Sequence, residues 1–213
     1  MCEWGTAKPW LWAKNTGNLW RTTGDIFDSF SVKDSKRDWA HTLLEIVDLN
    51  EPLWPYAGPG HWNDADMLEV GNGGMTPAEY RSHFSLWAMM ASPLMAGNDV
   101  AHMDESTRSI LLNKEVIAVD QDALGAQGHR VVKDGTSEVW TKPLSGGAMA
   151  VLLFNRGDAP ATITATAAQL GISRARAQVR DLWAHKSRGQ MKGTITATIE
   201  PHGVAMFRVD PRP

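Results

Sequence analysis

The chain has 213 residues, of which 43% are hydrophobic and 21% charged, with a formal net charge of −3. That composition excludes a disordered tail, a collagen-like repeat and a coiled coil, and mild acidity leaves no basic footprint for nucleic acid. No run of 18 apolar residues predicts a membrane span, and no basic stretch followed by an apolar run marks a leader at the amino terminus.

In chain order, residues 1–125 alternate strand-like and helical patterns. The opening Met1-Cys2-Glu3-Trp4-Gly5 carries the one cysteine of the chain. Cys2 reads either as a buried apolar thiol or as half of a bridge. Residues 18–26 predict a short strand running into a turn. Over 35–49, Trp39, Leu43, Ile46 and Val47 fall at i, i+4, i+7 and i+8, an amphipathic helix. Residues 60–68 are a second strand-to-loop passage. Thr76, Pro77 and Glu79 then form an N-cap, a first-turn proline and a capping box. The helix they start carries Tyr80, Phe84 and Trp87 on one face. Residues 92–99 predict a third strand, residues 104–113 a further helix, and 116–119 are apolar. Alternating strands and helices imply a parallel sheet covered by helices, with polar residues for a site at the strands' carboxyl ends.

Near residues 121–130 the helical patterns fade. Short alternating strands follow at 129–133, 136–142, 147–155, 161–167, 178–184, 193–199 and 203–209, separated by turns such as Asp134-Gly135 and Ser145-Gly146-Gly147. Strands at that spacing predict an antiparallel β-sandwich. The expected domains are 1–125 and 126–213.

Gly71-Asn72-Gly73-Gly74 lacks the spacing and the lysine of a phosphate-binding loop. The seven histidines are scattered singly, so no metal site is expected, and nothing calls for a cofactor. The carboxylates carry more. Glu3, Asp25, Asp64 and Asp66 stand at inferred strand ends beside Trp4, Trp20 and Trp62. Carboxylates accept hydrogen bonds from vicinal hydroxyls, indole faces cover the C–H face of a pyranose, and glycoside cleavage uses paired carboxyl groups. Eight of the ten tryptophans lie in the first 87 residues, a density expected of a cleft wall as well as a core.

Four segments carry a resemblance. They are Cys2-Glu3-Trp4-Gly5, Trp20-Arg21-Thr22-Thr23-Gly24-Asp25-Ile26, Ala57-Gly58-Pro59-Gly60-His61-Trp62-Asn63-Asp64-Ala65-Asp66-Met67-Leu68 and Ser85-Leu86-Trp87-Ala88-Met89-Met90-Ala91-Ser92-Pro93-Leu94. In this order they resemble glycoside hydrolase family 27, the α-galactosidases or melibiases. Val116-Ile117-Ala118-Val119-Asp120-Gln121-Asp122 is similar to that family's join between barrel and β-domain. The resemblance implies α/β plus all-β architecture: part of a (β/α)8 barrel, about strands 6–8 with their helices, followed by an antiparallel β-sandwich. It also implies retaining hydrolysis of α-galactosides from a galactosyl oligosaccharide or glycoconjugate. Asp25 takes the acid/base role; Glu3, Trp4, Arg21, Asp66 and Met67 bind the sugar. Glu3 matches the residue that reads the 2-hydroxyl and favours galactose over N-acetylgalactosamine. The same scaffold also serves β-L-arabinopyranosidases and α-N-acetylgalactosaminidases, and a non-catalytic sugar-binding or structural fragment is the remaining alternative.

Three departures follow from the resemblance. The family's Pro between the two site aspartates is Ala65 here, expected to loosen that turn. Its nucleophile, in a Lys-Tyr/Phe-Asp-x-Cys run, has no counterpart in the chain, and neither have the two adjacent aspartates that bind the 4- and 6-hydroxyls. The cysteine of that run pairs with the one matched by Cys2, which leans weakly towards a secreted or periplasmic setting. A whole barrel needs roughly 250 residues. The chain is therefore expected to be the carboxyl-terminal portion of a longer enzyme, inactive alone, prone to aggregate and needing a complementing amino-terminal half.

Overall fold

The computed structural model describes residues 7–172 and 176–210. Cys2, Glu3 and Trp4 lie outside the described residues.

The front section is built on two parallel strands, β1 (Leu19–Arg21) and β2 (Trp62–Asp64), in register Leu19 to Trp62 and Arg21 to Asp64. The third predicted strand survives only as a parallel bridge between Leu68 and Ala96. Pro93 offers no N–H, and the pairing is confined to Leu68 N donating to Met95 O and Gly97 N donating to Leu68 O.

Helix α1 (Leu43–Asn50) starts later than the periodicity predicts. Thr42 Oγ1 accepts from Glu45 N at 3.3 Å and Glu45 Oε2 accepts from Thr42 N at 3.0 Å. This capping box fixes the first turn, and residues 35–41 form turns instead. Trp39 therefore lies outside the helix and is 62% exposed. Helix α2 (Pro77–Met90) starts where its capping box predicts. It is not buried on one face alone: every residue from Ser82 to Met90 is buried. Two short helices follow, α3 (Glu105–Leu111), capped by Asp104, and α4 (Lys114–Asp120), capped by Asn113.

The rest is antiparallel. Strands β3 (His129–Asp134), β4 (Ser137–Pro143), β5 (Met149–Asn155), β10 (Val204–Asp210), β7 (Arg176–Asp181) and β8 (Lys186–Lys192) form one sheet in that order. Strands β6 (Ala161–Thr166) and β9 (Thr194–Ile199) pair separately and cover one face, with Ile163, Ile195 and Ile199 against Val151, Leu153 and Phe207. The opposite face packs on α2: Trp140, Phe154 and Met206 share a core with Phe84, Trp87 and Met90. That shared core explains why α2 is buried on every side from Ser82 to Met90, since it is sandwiched between the parallel strands and the sheet. β8 escapes sequence reading because its exposed pattern is that of an edge strand with only Met191 buried.

Candidate active site

Arg21 ends β1 and is the hub of a charged cluster. Its Nη2 lies 3.1 Å from Asp25 Oδ1 and 2.8 Å from Asp66 Oδ2. The same nitrogen donates to Gly24 O at 2.9 Å, and Arg21 Nε is shielded from solvent with no acceptor among the described residues. The Arg21 and Asp66 side chains are 11% and 14% exposed, whereas Asp25 is 40% exposed. Two carboxylates thus share one guanidinium at the carboxyl ends of parallel strands, and one of them faces water.

Asp66 is held from all sides. Its φ of +79° lies in the left-handed region, which costs a non-glycine residue roughly 1–3 kcal/mol. Four bonds fix it there. Ile26 N donates to Oδ2 at 2.8 Å and Met67 N to Oδ1 at 2.8 Å. Asp66 N donates to Asp64 Oδ1 at 2.9 Å, and the Trp87 indole donates to Asp66 O at 2.7 Å. Trp87 is in turn braced edge-on by His83 at 4.1 Å between ring centroids. His83 Nε2 accepts from Glu69 N, so its proton sits on Nδ1; full burial pulls its pKa down to about 3. Burial pushes the Asp64 carboxyl up, against the opposing pull of the Asp66 N–H and the Arg21 charge.

Ala65 N donates to the buried Ser92 Oγ at 2.9 Å, a bond that proline would forfeit. Met67 is half-buried and its sulfur rests where a Cβ on Gly97 would stand.

Two tryptophans read as sugar-facing are placed elsewhere. Trp20 is fully buried and donates from Nε1 to Asn63 Oδ1 at 2.8 Å, on the face turned to the helices. Asn63, Gln127 and Asn50 continue that bonded chain, so the indole braces the layer behind the site. Trp62 lines a cleft of about 460 Å3 together with Pro59, Ser92, Pro93 and Asp120. That cleft contains none of Arg21, Asp25 and Asp66 and opens where the strands begin. The clamp residues Trp87, His83 and Ser92 were missed as contributors to the site. A periodicity reading assigns the first two to the core, and nothing in sequence shows that an indole N–H reaches a backbone carbonyl 21 residues away.

Among the described residues no three His, Cys, Asp or Glu side chains form a metal-binding group, and no helix is long and apolar enough to cross a membrane.

Residues 5–122 match the family model described as alpha galactosidase A, and residues 134–209 match the alpha galactosidase C-terminal beta sandwich domain. The alpha-galactosidase of Cyamopsis tetragonoloba is 46% identical over 213 residues, covering all of this chain and 49% of the relative. That of Coffea arabica is 50% identical over 213 residues, covering all of this chain and 54% of the relative. The crystal structure of alpha-galactosidase I from Mortierella vinacea superposes with a TM-score of 0.93 at 36% identity, over 98% of this chain and 57% of that one. The chain spans about half the length of the curated relatives it matches.

Proposed function

The chain belongs to the alpha galactosidase A family, and from that premise we propose that its Arg21–Asp25–Asp66 cluster is the acid side of a site that cleaves α-galactosides. The observation that carries the reading is the pair of carboxylates on one guanidinium, at 3.1 and 2.8 Å, with only Asp25 open to water.

The division of labour follows from the bonding. Both oxygens of Asp66 accept backbone N–H groups and Oδ2 also meets Arg21, which orients the carboxylate and leaves one lone pair on Oδ1 for a sugar hydroxyl. Such an oxygen suits binding better than attack. Asp25 Oδ1 is tied to Arg21, while Oδ2 has no partner among the described residues; this is the oxygen that would protonate the departing glycosidic oxygen and then take a proton from water. Arg21 fixes the distance between the two carboxylates and offers an unsatisfied Nε–H. Met67 forms part of the pocket wall. Glu3 and Trp4, by resemblance, read the 2-hydroxyl and cover the ring.

Retention requires a second carboxylate about 5 Å from the acid, across the scissile bond. The sequence holds no Lys-Tyr/Phe-Asp-x-Cys run, so this chain supplies the acid and part of the sugar pocket, and turnover calls for a complementing segment that carries the nucleophile. Cys2 would pair with the cysteine of that run.

The test is a sugar titration of the 213-residue chain by calorimetry. Galactose binds. Asp66→Asn lowers galactose affinity about tenfold or more, since a hydrogen bond to a charged group contributes about 1.5–3 kcal/mol. Nitrophenyl α-galactoside is not turned over by the chain alone. Absence of galactose binding, or galactose binding indifferent to Asp66→Asn, would overturn the reading.

A further inference from the structure

The glycine-rich run Gly71-Asn72-Gly73-Gly74 lacks the lysine of a phosphate-binding loop, and its N–H groups hold an internal anion instead. Gly74 N donates to Asp28 Oδ2, and Gly73 N and Met75 N donate to the Tyr80 hydroxyl at 2.6 and 3.3 Å. That hydroxyl donates in turn to the Asp28 carboxylate, 2.9 Å from Oδ1 and 2.8 Å from Oδ2. Burial, with the Asp28 charge beside it, pushes the Tyr80 hydroxyl up to about 12, so it keeps its proton at neutral pH. Asp28 is thus held as a bound anion would be, by a hydroxyl and a main-chain N–H of a glycine turn.

The approach is close enough to require glycine. A Cβ on Gly74 would stand 2.2 Å from Asp28 O and 2.8 Å from Asp28 Oδ2. The parts that grip Asp28 are themselves fixed. Tyr80 is buried in the first turns of α2, and Asn72 Nδ2 donates to Glu69 Oε2 and lies 3.4 Å from Gly97 O. Asp28 follows Asp25 by three residues, and the gripping loop begins three residues after Asp66, at Glu69. The two segments that carry the carboxylates of the site are therefore joined at Ile26 N, which donates to Asp66 Oδ2 at 2.8 Å, and again at Asp28. Among the described residues none of the bonds made by Asp28 goes to Arg21, Asp25 or Asp66.

We propose that Asp28 is a positioning residue of the sugar site: gripped by Tyr80 and the glycine turn, it keeps Ile26 N on Asp66 Oδ2 and so fixes the face that Asp66 turns to the sugar. The proposal rests on the reading of Arg21, Asp25 and Asp66 as that site. Ile26 is carried by a short segment whose next anchors are Phe27 N on His41 O at 3.1 Å and Asp28 itself. With Asp28 released, the Ile26 N–H drifts from Oδ2, and the left-handed Asp66 loses one of the bonds that hold it. A carboxylate oriented before the sugar arrives binds more tightly than one that must be ordered on binding.

The test is a galactose titration by calorimetry on the 213-residue chain and its variants, each first shown to be folded by circular dichroism and a cooperative melt. Asp28→Ala weakens galactose about two- to thirtyfold, the scale on which a residue that touches no ligand shifts an affinity. Asp28→Asn keeps an acceptor for Tyr80, and Tyr80→Phe leaves Gly74 N on the carboxylate, so each weakens galactose less; these two decide the matter where Asp28→Ala does not fold. Because the effect runs through Asp66, adding Asp28→Ala to Asp66→Asn costs no further affinity. Folded variants that melt earlier and bind galactose as the wild type does assign Asp28 to loop structure alone. That result overturns the proposal, as does an equal loss with and without Asp66→Asn, and both leave the galactose site standing. Absence of galactose binding by the wild-type chain takes down the reading of the site itself, and the positioning role with it.

Discussion

Asp66 is held in the left-handed region, and hydrogen bonds from its neighbours offset the strain. Trp87 is the chief of these. Trp87→Phe keeps an aromatic ring but leaves the Asp66 carbonyl unpaired in a buried setting, a cost of about 1–3 kcal/mol. Chemical denaturation should register that loss, and galactose affinity should fall with it, because Asp66 is released from the geometry that faces Arg21. His83 stands behind Trp87 and gives the protein an acid sensitivity of definite sign. Its pKa is about 3 folded and about 6.5 unfolded, so between those values the unfolded chain binds the extra proton and stability falls as pH falls. Asp120, pushed up to about 6 by burial, contributes the opposite slope between about 3.8 and 6. From pH 7 to pH 5 the His83 share of the loss is about 2 kcal/mol. His83→Gln should shrink the difference in unfolding free energy between those two pH values by that amount; an unchanged difference would show that His83 is protonated in the folded state. Much of this was out of reach of the sequence. Arg21, Asp25 and Asp66 stood out through the motifs that carry the resemblance, and their side chains come together in the structure. Trp20 was misread because strand alternation does not say which face looks to the helices, and its bond to Asn63 depends on the neighbouring strand.

At the scale of elements, the chain is held together by a junction that no single segment reveals. Glu138 on β4 is fully buried and accepts from Arg130 Nη1 at 2.8 Å, Arg156 Nη1 at 2.7 Å and Trp140 Nε1 at 2.8 Å. Asp48 on α1 takes both arginines as well, so the front section is tied to the sheet through charge. Removing one partner of a buried network strands the rest. Arg156→Leu is expected to destabilise the fold by about 3–5 kcal/mol, read as a lower denaturation midpoint, and a shift under 1 kcal/mol would mean the network is solvated. Both capping boxes show how far local signals carry: Thr76-Pro77-x-Glu79 set the start of α2, and Thr42-x-x-Glu45 overruled an apolar period that began at Trp39. The strand at 92–99 shrank to a bridge because pairing depends on a neighbour and not on the run's own composition. β8 was invisible for the complementary reason, being an edge strand without an apolar alternation.

At the scale of the whole molecule, the described residues leave considerable apolar surface in the open. Val100, Leu112 and Met95 are 62%, 59% and 49% exposed, and the first two rim a groove of about 350 Å3 lined by Leu68, Phe84, Leu94 and Ile117. Surface of that kind promotes association. Light scattering of the 213-residue chain should give a mass that rises with concentration, and a sharp monomer at high concentration would contradict that. The sandwich was readable as a class because its strands alternate and its turns are glycine-rich. What the sequence does not disclose is that its sheet completes the core of α2, and through α2 the seat of Trp87 under Asp66. The most direct test of the whole account is a crystal of the chain soaked with galactose. The account predicts one sugar with hydroxyls about 2.6–3.2 Å from Arg21 and Asp66 and its anomeric oxygen facing Asp25. Galactose seated in the cleft at Trp62 and Asp120, with Arg21, Asp25 and Asp66 untouched, would contradict it.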